Sequence, residues 1–188
     1  SAGRAENEIC SFDDLADVQC MYSSGIYIFY EGNAMLDLNT DRRYVSQGSG
    51  SLRVVNKPFP EYQGSNASPV IGFRGEFMND IRDFSKYSAV KFNIFNDSGR
   101  DYMWAFYVFD NQGAAYVQYT TVKSGVWTEV VAPMEDIARG TGVVNGETVQ
   151  MDLTNIVEIK WAYRGTSEGE DLVFYLDDLV FQPKGAEA

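Results

Sequence analysis

The chain has 188 residues, of which 45% are hydrophobic, and it carries a formal net charge of −12 with no histidine. This negative charge, without any basic stripe, argues against nucleic-acid binding, because such a surface repels a phosphate backbone. The missing histidine removes most hydrolase triads, histidine metal sites and histidine general bases, which leaves enzymes that work with carboxylates alone as the catalytic class to consider.

The length suits one well-filled domain, and neither an internal repeat nor a linker-like change of composition divides the chain. Residues 1–8 are expected to be a disordered polar leader, residues 9–183 a single domain, and residues 184–188 a tail. No window approaches 18 apolar residues, so no membrane span is predicted. Cys10 and Cys20 either form a disulfide or are two packed free thiols, and their spacing fits both.

Short apolar runs separated by Gly, Asn, Asp and Ser clusters make up most of the chain, a pattern typical of an all-β sandwich with eight to ten strands. In chain order, the predicted strands are 8–13, 25–30, 51–55, 89–96, 101–110, 114–122, 126–132, 155–163 and 171–182. Short helices are predicted at 133–139 and 76–82. The stretch 56–69 is the longest predicted loop, and long ordered loops often shape a binding edge.

The strand predicted at 101–110 is apolar on both faces, since Tyr102, Trp104, Phe106 and Val108 alternate with Met103, Ala105, Tyr107 and Phe109. A sandwich strand needs only one core face, so the second is either covered or forms an aromatic platform on which a sugar ring stacks. We predict Trp104 and Tyr102 as the stacking residues. Trp127 and Trp161 are predicted to lie in the core instead.

The neighbouring predicted strand, 114–122, offers two different faces. Tyr116 and Gln118 form a mixed aromatic and polar face, which suits a sugar better than the alternative face of Val117, Tyr119 and Thr121. Arg164, at the end of the strand 155–163, is predicted to point outward and to contact sugar hydroxyls. The predicted carbohydrate-binding residues are therefore Trp104, Tyr102, Tyr116, Gln118 and Arg164.

The strand predicted at 171–182 contains two adjacent carboxylates, Asp177 and Asp178, within an apolar run. Strand side chains alternate between the two faces, so one of these carboxylates must point inward. A buried carboxylate without a partner costs several kcal/mol and requires either a cation or a set of hydrogen-bond donors. For Asp177 the alternatives are calcium, a network of backbone N–H donors without a metal, and exposure at a bulge.

The order of several motifs resembles that of the galactose-binding-like jelly-roll domains, in particular the carbohydrate-binding modules attached to bacterial glycoside hydrolases. These motifs are Phe12-Asp13-Asp14, Gly48-Ser49-Gly50-Ser51-Leu52-Arg53-Val54, Phe84 to Phe92, Gly125 to Val130, Asp152 to Ile159, and Phe174 to Val180. The resemblance covers roughly residues 9–182. It implies a two-sheet antiparallel jelly roll with one or two short helices, in which the first and last strands lie side by side.

The resemblance also implies a structural calcium ion between the first and last strands. Carried over to this chain, its ligands are the carboxylates of Asp13 and Asp177 and the carbonyls of the turn from Gly48 to Ser51. Calcium prefers six to eight oxygen ligands, and such a site neutralises a buried carboxylate. Members of the family usually have Glu where this chain has Asp13, whose side chain is shorter by one methylene group.

These observations predict a non-catalytic carbohydrate-binding module from a secreted or cell-surface bacterial protein, with a polysaccharide or oligosaccharide as its ligand. A catalytic domain in the same protein is the further partner that the resemblance implies. The first alternative is a jelly-roll spacer used for structure or adhesion. The second is a small glycosidase or lyase, for which Glu129 and Glu158 are the outward carboxylates to consider.

Overall fold

The computed structural model describes residues 4–24, 34–56, 70–164 and 171–185, with Tyr163 and Arg164 as backbone only. Within these residues the protein is an all-β sandwich of two antiparallel sheets with six and seven strands, which confirms the predicted fold class. The strand predicted at 25–30 and the loop from 57 to 69 lie outside the described residues.

The six-stranded sheet contains the first and last described strands side by side. Its spatial order is β3 (Met35–Asn39), β4 (Ser51–Asn56), β13 (Leu172–Pro183), β6 (Tyr87–Asn96) and β9 (Trp127–Pro133), and β1 (Glu8–Cys10) pairs with β13 outside this order. Cys10 lies opposite Leu179. The resemblance implies that the first and last strands lie side by side, and the pairing of β1 with β13 confirms this.

The seven-stranded sheet forms the other layer and has β7 and β12 near its middle. Its spatial order is β11 (Glu147–Gln150), β10 (Thr141–Val144), β8 (Ala115–Val122), β7 (Tyr102–Asp110), β12 (Ile156–Arg164), β5 (Val70–Arg74) and β2 (Tyr22–Ser24). β7 is paired along its length with β8 on one side and β12 on the other, so these three strands carry the longest continuous surface of the sheet.

Two short α-helices and two 3₁₀ turns are described. Helix α2 (Met134–Ile137) follows Pro133 and confirms the helix predicted there, whereas the helix predicted at 76–82 is a 3₁₀ turn over Gly75–Met78. Helix α1 (Leu15–Gln19) was not predicted. Asp14 is its N-cap, and the Asp14 carboxylate accepts a hydrogen bond from the Asp17 N–H at 3.0 Å. An aspartate at this position is a helix-start signal that the sequence contains.

The core lies between the two sheets and is rich in aromatic rings. Trp161 is fully buried, as predicted, and its ring centroid lies 5.3 Å from that of Phe106 and 5.6 Å from that of Phe92 in the opposite sheet. The prediction for Trp127 is wrong, because this residue lies half-buried on the outward side of edge strand β9 and contacts Phe95 at 5.6 Å.

The two cysteines are free. Cys10 is buried in the core and Cys20 is exposed after helix α1, so of the two alternatives from the sequence the structure has free thiols. Burial is the main cause that raises the pKa of the Cys10 thiol far above its ordinary value, which keeps that thiol protonated and unreactive.

Candidate functional site

The predicted sugar platform of Trp104 and Tyr102 points into the core. Their side chains are 4% and 6% exposed, and both rings meet Phe174 of the opposite sheet edge-on, with centroids 4.9 Å and 5.9 Å away. Neither residue can offer a ring face to a ligand, so the prediction that they stack on a sugar ring is wrong. β7 does carry an outward apolar face, but it is the opposite one.

Tyr116 and Gln118 also face the inside of the sandwich. They lie opposite Val108 and Phe106, whose side chains belong to the core, and the Tyr116 hydroxyl donates to the Gln118 side-chain carbonyl at 2.6 Å. The Gln118 amide in turn donates to the Val131 carbonyl of the other sheet at 3.0 Å. This polar pair bridges the two sheets near the edge strand β9, which corrects its assignment as a sugar-binding surface.

The outward side of β7, β8, β12, β5 and β2 forms one continuous surface, called the outer face below. Backbone register assigns to it the described positions Ala115, Val117, Tyr119, Thr121, Met103, Ala105, Tyr107, Phe109, Glu158, Lys160, Ala162, Val70, Gly72, Arg74, Tyr22 and Ser24. Three of its large apolar residues are well exposed, Tyr119 at 52%, Met103 at 43% and Val117 at 40%. Arg164 ends β12 opposite Met103, and its side chain lies outside the described part of the chain.

Two aromatic rings stand next to each other on this outer face. Tyr107 and Phe109 are half-buried, and their rings are nearly parallel, with an angle of 11° and a centroid distance of 6.0 Å. The Lys160 ammonium lies 5.2 Å from the Tyr107 centroid and 4.7 Å from the Phe109 centroid. This combination provides apolar ring surface together with a hydrogen-bond donor, which are the two components that a sugar-binding site requires.

Small side chains form a shallow floor across the middle of the outer face. Tyr119 lies opposite Ala105 in the neighbouring strand, and Ala105 lies opposite Ala162. Both alanines are buried although they point outward, since Tyr107 and Met103 rise on either side of Ala105 along β7. The row crosses the strands, and at about 4.8 Å per strand the surface from β8 to β2 is about 19 Å wide, enough for several linked sugar units.

A polar group closes the β2 side of the outer face. The Tyr22 hydroxyl donates to the Glu158 carboxylate, and the Arg74 guanidinium lies 4.1 Å from the centre of the Tyr22 ring. Burial, followed by the Glu158 hydrogen bond, raises the pKa of Tyr22 well above its ordinary value. The phenol therefore stays protonated, and this edge of the surface offers a fixed set of donors and acceptors for sugar hydroxyls.

The two outward carboxylates considered for catalysis lie on different sheets. Glu129 is on β9 of the six-stranded sheet, whereas Glu158 is on β12 of the seven-stranded sheet. A glycosidase needs its two carboxyl groups on either side of one glycosidic bond. Glu129 and Glu158 therefore do not form such a pair.

The two carboxylates predicted to bind calcium both contact the turn from Ser46 to Gly50. One Asp13 oxygen accepts hydrogen bonds from the N–H groups of Ser49 at 3.0 Å and Gly50 at 3.1 Å. Gly48 has a positive φ of 71°, and a Cβ placed on it would lie 2.5 Å from an Asp13 oxygen, so only glycine permits this close approach.

Asp177 holds the other end of the same turn and is completely buried. One of its oxygens accepts from the Ser46 N–H at 2.8 Å, the Ser46 hydroxyl at 3.1 Å and the Gln47 N–H at 3.0 Å, and the other accepts from the Asp178 N–H at 2.8 Å. Asp178 adopts a positive φ of 53° at a bulge in β13. Ser51 is also engaged, since its hydroxyl donates to the Tyr44 carbonyl at 2.5 Å.

These residues do not fit a calcium site. Calcium needs six to eight oxygens directed at a common centre, whereas one oxygen of Asp13 and one of Asp177 each accept two N–H groups of the turn, and among the described residues no group of three or more acidic side chains could hold a metal. Of the alternatives for Asp177, the structure has the network of hydrogen-bond donors, and the same turn also donates to Asp13.

We accordingly expect the thermal stability of the domain to be independent of calcium. Melting scans are recorded at CaCl₂ concentrations that rise in 5-fold steps to about 1 mM, a range that includes the dissociation constants of extracellular calcium-binding modules. Each scan should give the same Tm as a scan with EDTA. A bound ion stabilises the native state by mass action, so a Tm that rises with calcium and falls with EDTA would show that the carboxylates rearrange around a cation.

A separate groove of about 530 Å³ lies at the end of the six-stranded sheet. Tyr87, Pro133, Met134 and Leu153 form its apolar lining, and the charged residues Glu135 and Lys184 are exposed at its rim. The Ser88 hydroxyl, which also lines it, is within hydrogen-bond distance of the Gln182 and Pro183 carbonyls. The outer face has the larger aromatic surface and the closer combination of rings with polar groups, and we therefore take it as the candidate site.

Comparison with solved structures places this fold among known domains. The family 11 carbohydrate-binding module of Clostridium thermocellum, solved with a β-1,3-1,4-mixed-linked tetrasaccharide, superposes with a TM-score of 0.58 over 91% of this chain and 93% of that chain, at 14% identity. The chain has the fold of a carbohydrate-binding module. No family model and no curated protein sequence matches it.

Two other solved structures widen the comparison. The xylan-binding domain CBM22-1 from Paenibacillus barcinonensis Xyn10C has a TM-score of 0.53, with 13% identity, over 99% of this chain and all of that chain. An exo-β-agarase has a TM-score of 0.63, with 14% identity, over 98% of this chain but only 26% of the enzyme. Identities this low establish a shared fold. In the described residues no helix is both long and apolar enough to cross a membrane.

Proposed function

We propose that this domain is a non-catalytic carbohydrate-binding module of a secreted or cell-surface bacterial protein, and that the outer face of the seven-stranded sheet binds a polysaccharide or oligosaccharide chain. The observation that carries the proposal is the nearly parallel pair of Tyr107 and Phe109 on an outward sheet face, with Lys160 beside both rings. Sugar rings bury their C–H surfaces against aromatic rings, while charged and polar groups bind their hydroxyls.

The shape of the outer face supports the binding of a chain rather than a single sugar. The row from Tyr119 across Ala105 and Ala162 runs perpendicular to the strands and has no deep pocket at its centre, because two small side chains form its floor. A linear glycan lying along this row would contact Tyr119 at the β8 side and reach Val70 and Ser24 at the β2 side, with Tyr22 in the next row. The solved modules that share this fold support the proposal at the level of the fold.

The arrangement of the carboxylates supports the non-catalytic part of the proposal. Glu158 on the outer face is held by the Tyr22 hydroxyl, and its counterpart Glu129 lies on the other sheet. We therefore propose that any chemistry on the bound glycan is performed by a separate domain of the parent protein; in the agarase, the matching part is 26% of the chain.

The proposal is tested by affinity gel electrophoresis through a panel of soluble plant and algal polysaccharides. We expect at least one polysaccharide to retard the wild-type domain, and we expect Tyr119→Ala and Tyr107→Ala each to weaken this binding by about 10-fold, since a stacking aromatic residue is a typical binding hot spot. Tyr119 is 52% exposed, so its removal should leave the fold intact.

Trp127→Ala is the matched control, because it removes an aromatic ring from the outward side of the six-stranded sheet. This variant should be retarded as strongly as the wild type. If no polysaccharide retards the domain, the proposed function is wrong and the spacer role becomes the better account. If Trp127→Ala abolishes retardation while Tyr119→Ala and Tyr107→Ala do not, the binding surface is on the other sheet.

A further inference from the structure

The charge of the outer face differs from that of the rest of the domain. The whole chain has 15 basic and 27 acidic residues. On the outer face, the described charged side chains are Arg74, Lys160 and Glu158, so basic residues outnumber acidic ones there. The outward side of the six-stranded sheet has the opposite balance, with Asp37, Glu129 and Asp178 against Arg53 and Lys91.

Among the described side chains of the outer face, Lys160 is the cation that takes no part in the polar group at the β2 side. Arg74 lies directly opposite Glu158 in the neighbouring strand, and Glu158 also accepts the Tyr22 hydrogen bond, so these three groups form one local set. Among the described residues no carboxylate lies within ion-pair distance of Lys160. Its ammonium instead contacts the rings of Tyr107 and Phe109.

Basic residues on the opposite sheet are bound differently. The Lys91 ammonium lies 3.8 Å from a Glu129 oxygen, and the Arg53 guanidinium lies 3.9 Å from an Asp37 oxygen. In a domain with an excess of carboxylates, a lysine kept apart from them and placed against aromatic rings is available to an external anion. The rings also limit where its ammonium can lie, which lowers the entropy cost of a new contact.

We propose that the glycan bound by the outer face is acidic, with a uronate carboxylate or a sulfate group that pairs with Lys160. This inference rests on the proposed function and specifies the class of its ligand. An acidic sugar would bury its apolar surface against the part of the Tyr107 and Phe109 rings that Lys160 leaves open and place its anion beside the Lys160 ammonium, which lies over both rings. Because the domain has a net charge of −12, its long-range field repels a polyanion, so the preference must come from this local contact.

The test compares acidic polysaccharides with neutral forms of the same backbone. Glucuronoxylan, polygalacturonate and a sulfated galactan are each used beside a carboxyl-reduced, methyl-esterified or desulfated counterpart in the affinity gel. We expect an acidic form to bind about 5-fold more tightly than its neutral counterpart, the size expected for one exposed ion pair. Lys160→Gln should remove this difference, and Lys160→Arg should keep it.

Lys91→Gln is the control, since it removes the same charge from the opposite sheet and should leave the difference between acidic and neutral forms unchanged. Equal binding of the two forms by the wild type, or a loss in Lys160→Gln that is the same for both, would overturn the inference while leaving the proposed function standing. Failure of every polysaccharide, acidic and neutral, to retard the wild type would overturn the proposed function itself.

Discussion

Replacing Trp104 by alanine is expected to lower the free energy of unfolding by about 4 kcal/mol, the range for truncating a large buried aromatic side chain. Trp104 is 4% exposed, and its ring packs edge-on against Phe174 across the two sheets. The cavity left by the indole would lie between the layers, where the surrounding strands cannot collapse to fill it. Urea unfolding followed by circular dichroism measures this loss.

Trp104→Phe is the matched variant, because it keeps an aromatic ring in the core and should cost much less. We expect it to bind glycans as the wild type does at a temperature where it is fully folded. If Trp104→Phe is stable but no longer binds, Trp104 contacts the ligand, and the placement of the site on the opposite side of β7 is wrong. A loss of binding in Trp104→Ala counts as a loss of ligand contact only at temperatures where its unfolding curve shows the variant to be folded.

Asp177→Ala is expected to lower the free energy of unfolding by about 3 kcal/mol. Asp177 is fully buried and accepts the N–H groups of Ser46 and Gln47, so its removal leaves donors of a partly buried turn without a partner. Asp13→Ala should cost less, about 1 kcal/mol, because one of its two donors, the Ser49 N–H, belongs to an exposed residue and water can replace the carboxylate there. Chemical denaturation of both variants at one pH gives the comparison.

The pH dependence of Asp177 provides a second measurement. Burial raises its pKa to about 6, against the opposing effect of its backbone N–H donors. Between the ordinary aspartate pKa and 6 the native state binds more protons than the unfolded state, so this group's contribution to stability is full below pH 4 and is lost as the pH rises through 6. Asp177→Asn keeps one acceptor oxygen and has no such titration.

We therefore expect the stability advantage of the wild type over Asp177→Asn to shrink between pH 4 and pH 7. A constant difference across this range would show that the Asp177 carboxyl does not change its protonation state there. An advantage that grows with pH would show that the hydrogen bonds to its carboxylate outweigh its burial and lower its pKa instead.

The long strands of the sandwich were predictable from sequence because their side chains either alternate between apolar and polar or are uniformly apolar. The two adjacent carboxylates in the apolar run of β13 were also informative, since they predicted a buried Asp177 that needs partners. In the structure these partners are the N–H groups of Ser46 and Gln47. The identity of those partners was not predictable. N–H donors and a cation both satisfy a buried carboxylate, and the choice depends on backbone orientation within a turn of five residues.

The inward and outward faces of β7 could not be assigned from its own sequence. Both faces are apolar, so the alternation that distinguishes core from surface in other strands is missing. The neighbouring β12 carries the signal, since Glu158 and Lys160 alternate with Ile159 and Trp161, and the charged pair lies opposite Phe109 and Tyr107. Using that signal requires the register between β7 and β12, which only the structure provides.

The choice between the two faces of β8 failed for a different reason. Tyr116 and Gln118 are more polar than Val117 and Tyr119, and polarity normally indicates the solvent side. Near the edge of the sandwich the inward positions meet the backbone of the other sheet, so a glutamine can point inward and donate to the Val131 carbonyl. The exposed tyrosine and valine then belong to the outer face, which their neighbours on β7 extend.

The most direct test of the central claim, that the outer face of the seven-stranded sheet binds glycan, is an NMR titration of the ¹⁵N-labelled domain. The probe is an oligosaccharide fraction from the polysaccharide that retards the domain most strongly in the gel. The claim predicts that the largest shift changes occur at Tyr107, Phe109, Tyr119 and Lys160, with Phe95 and Trp127 on the other sheet unchanged. Shift changes centred on Phe95 and Trp127, with the outer face unaffected, would contradict it.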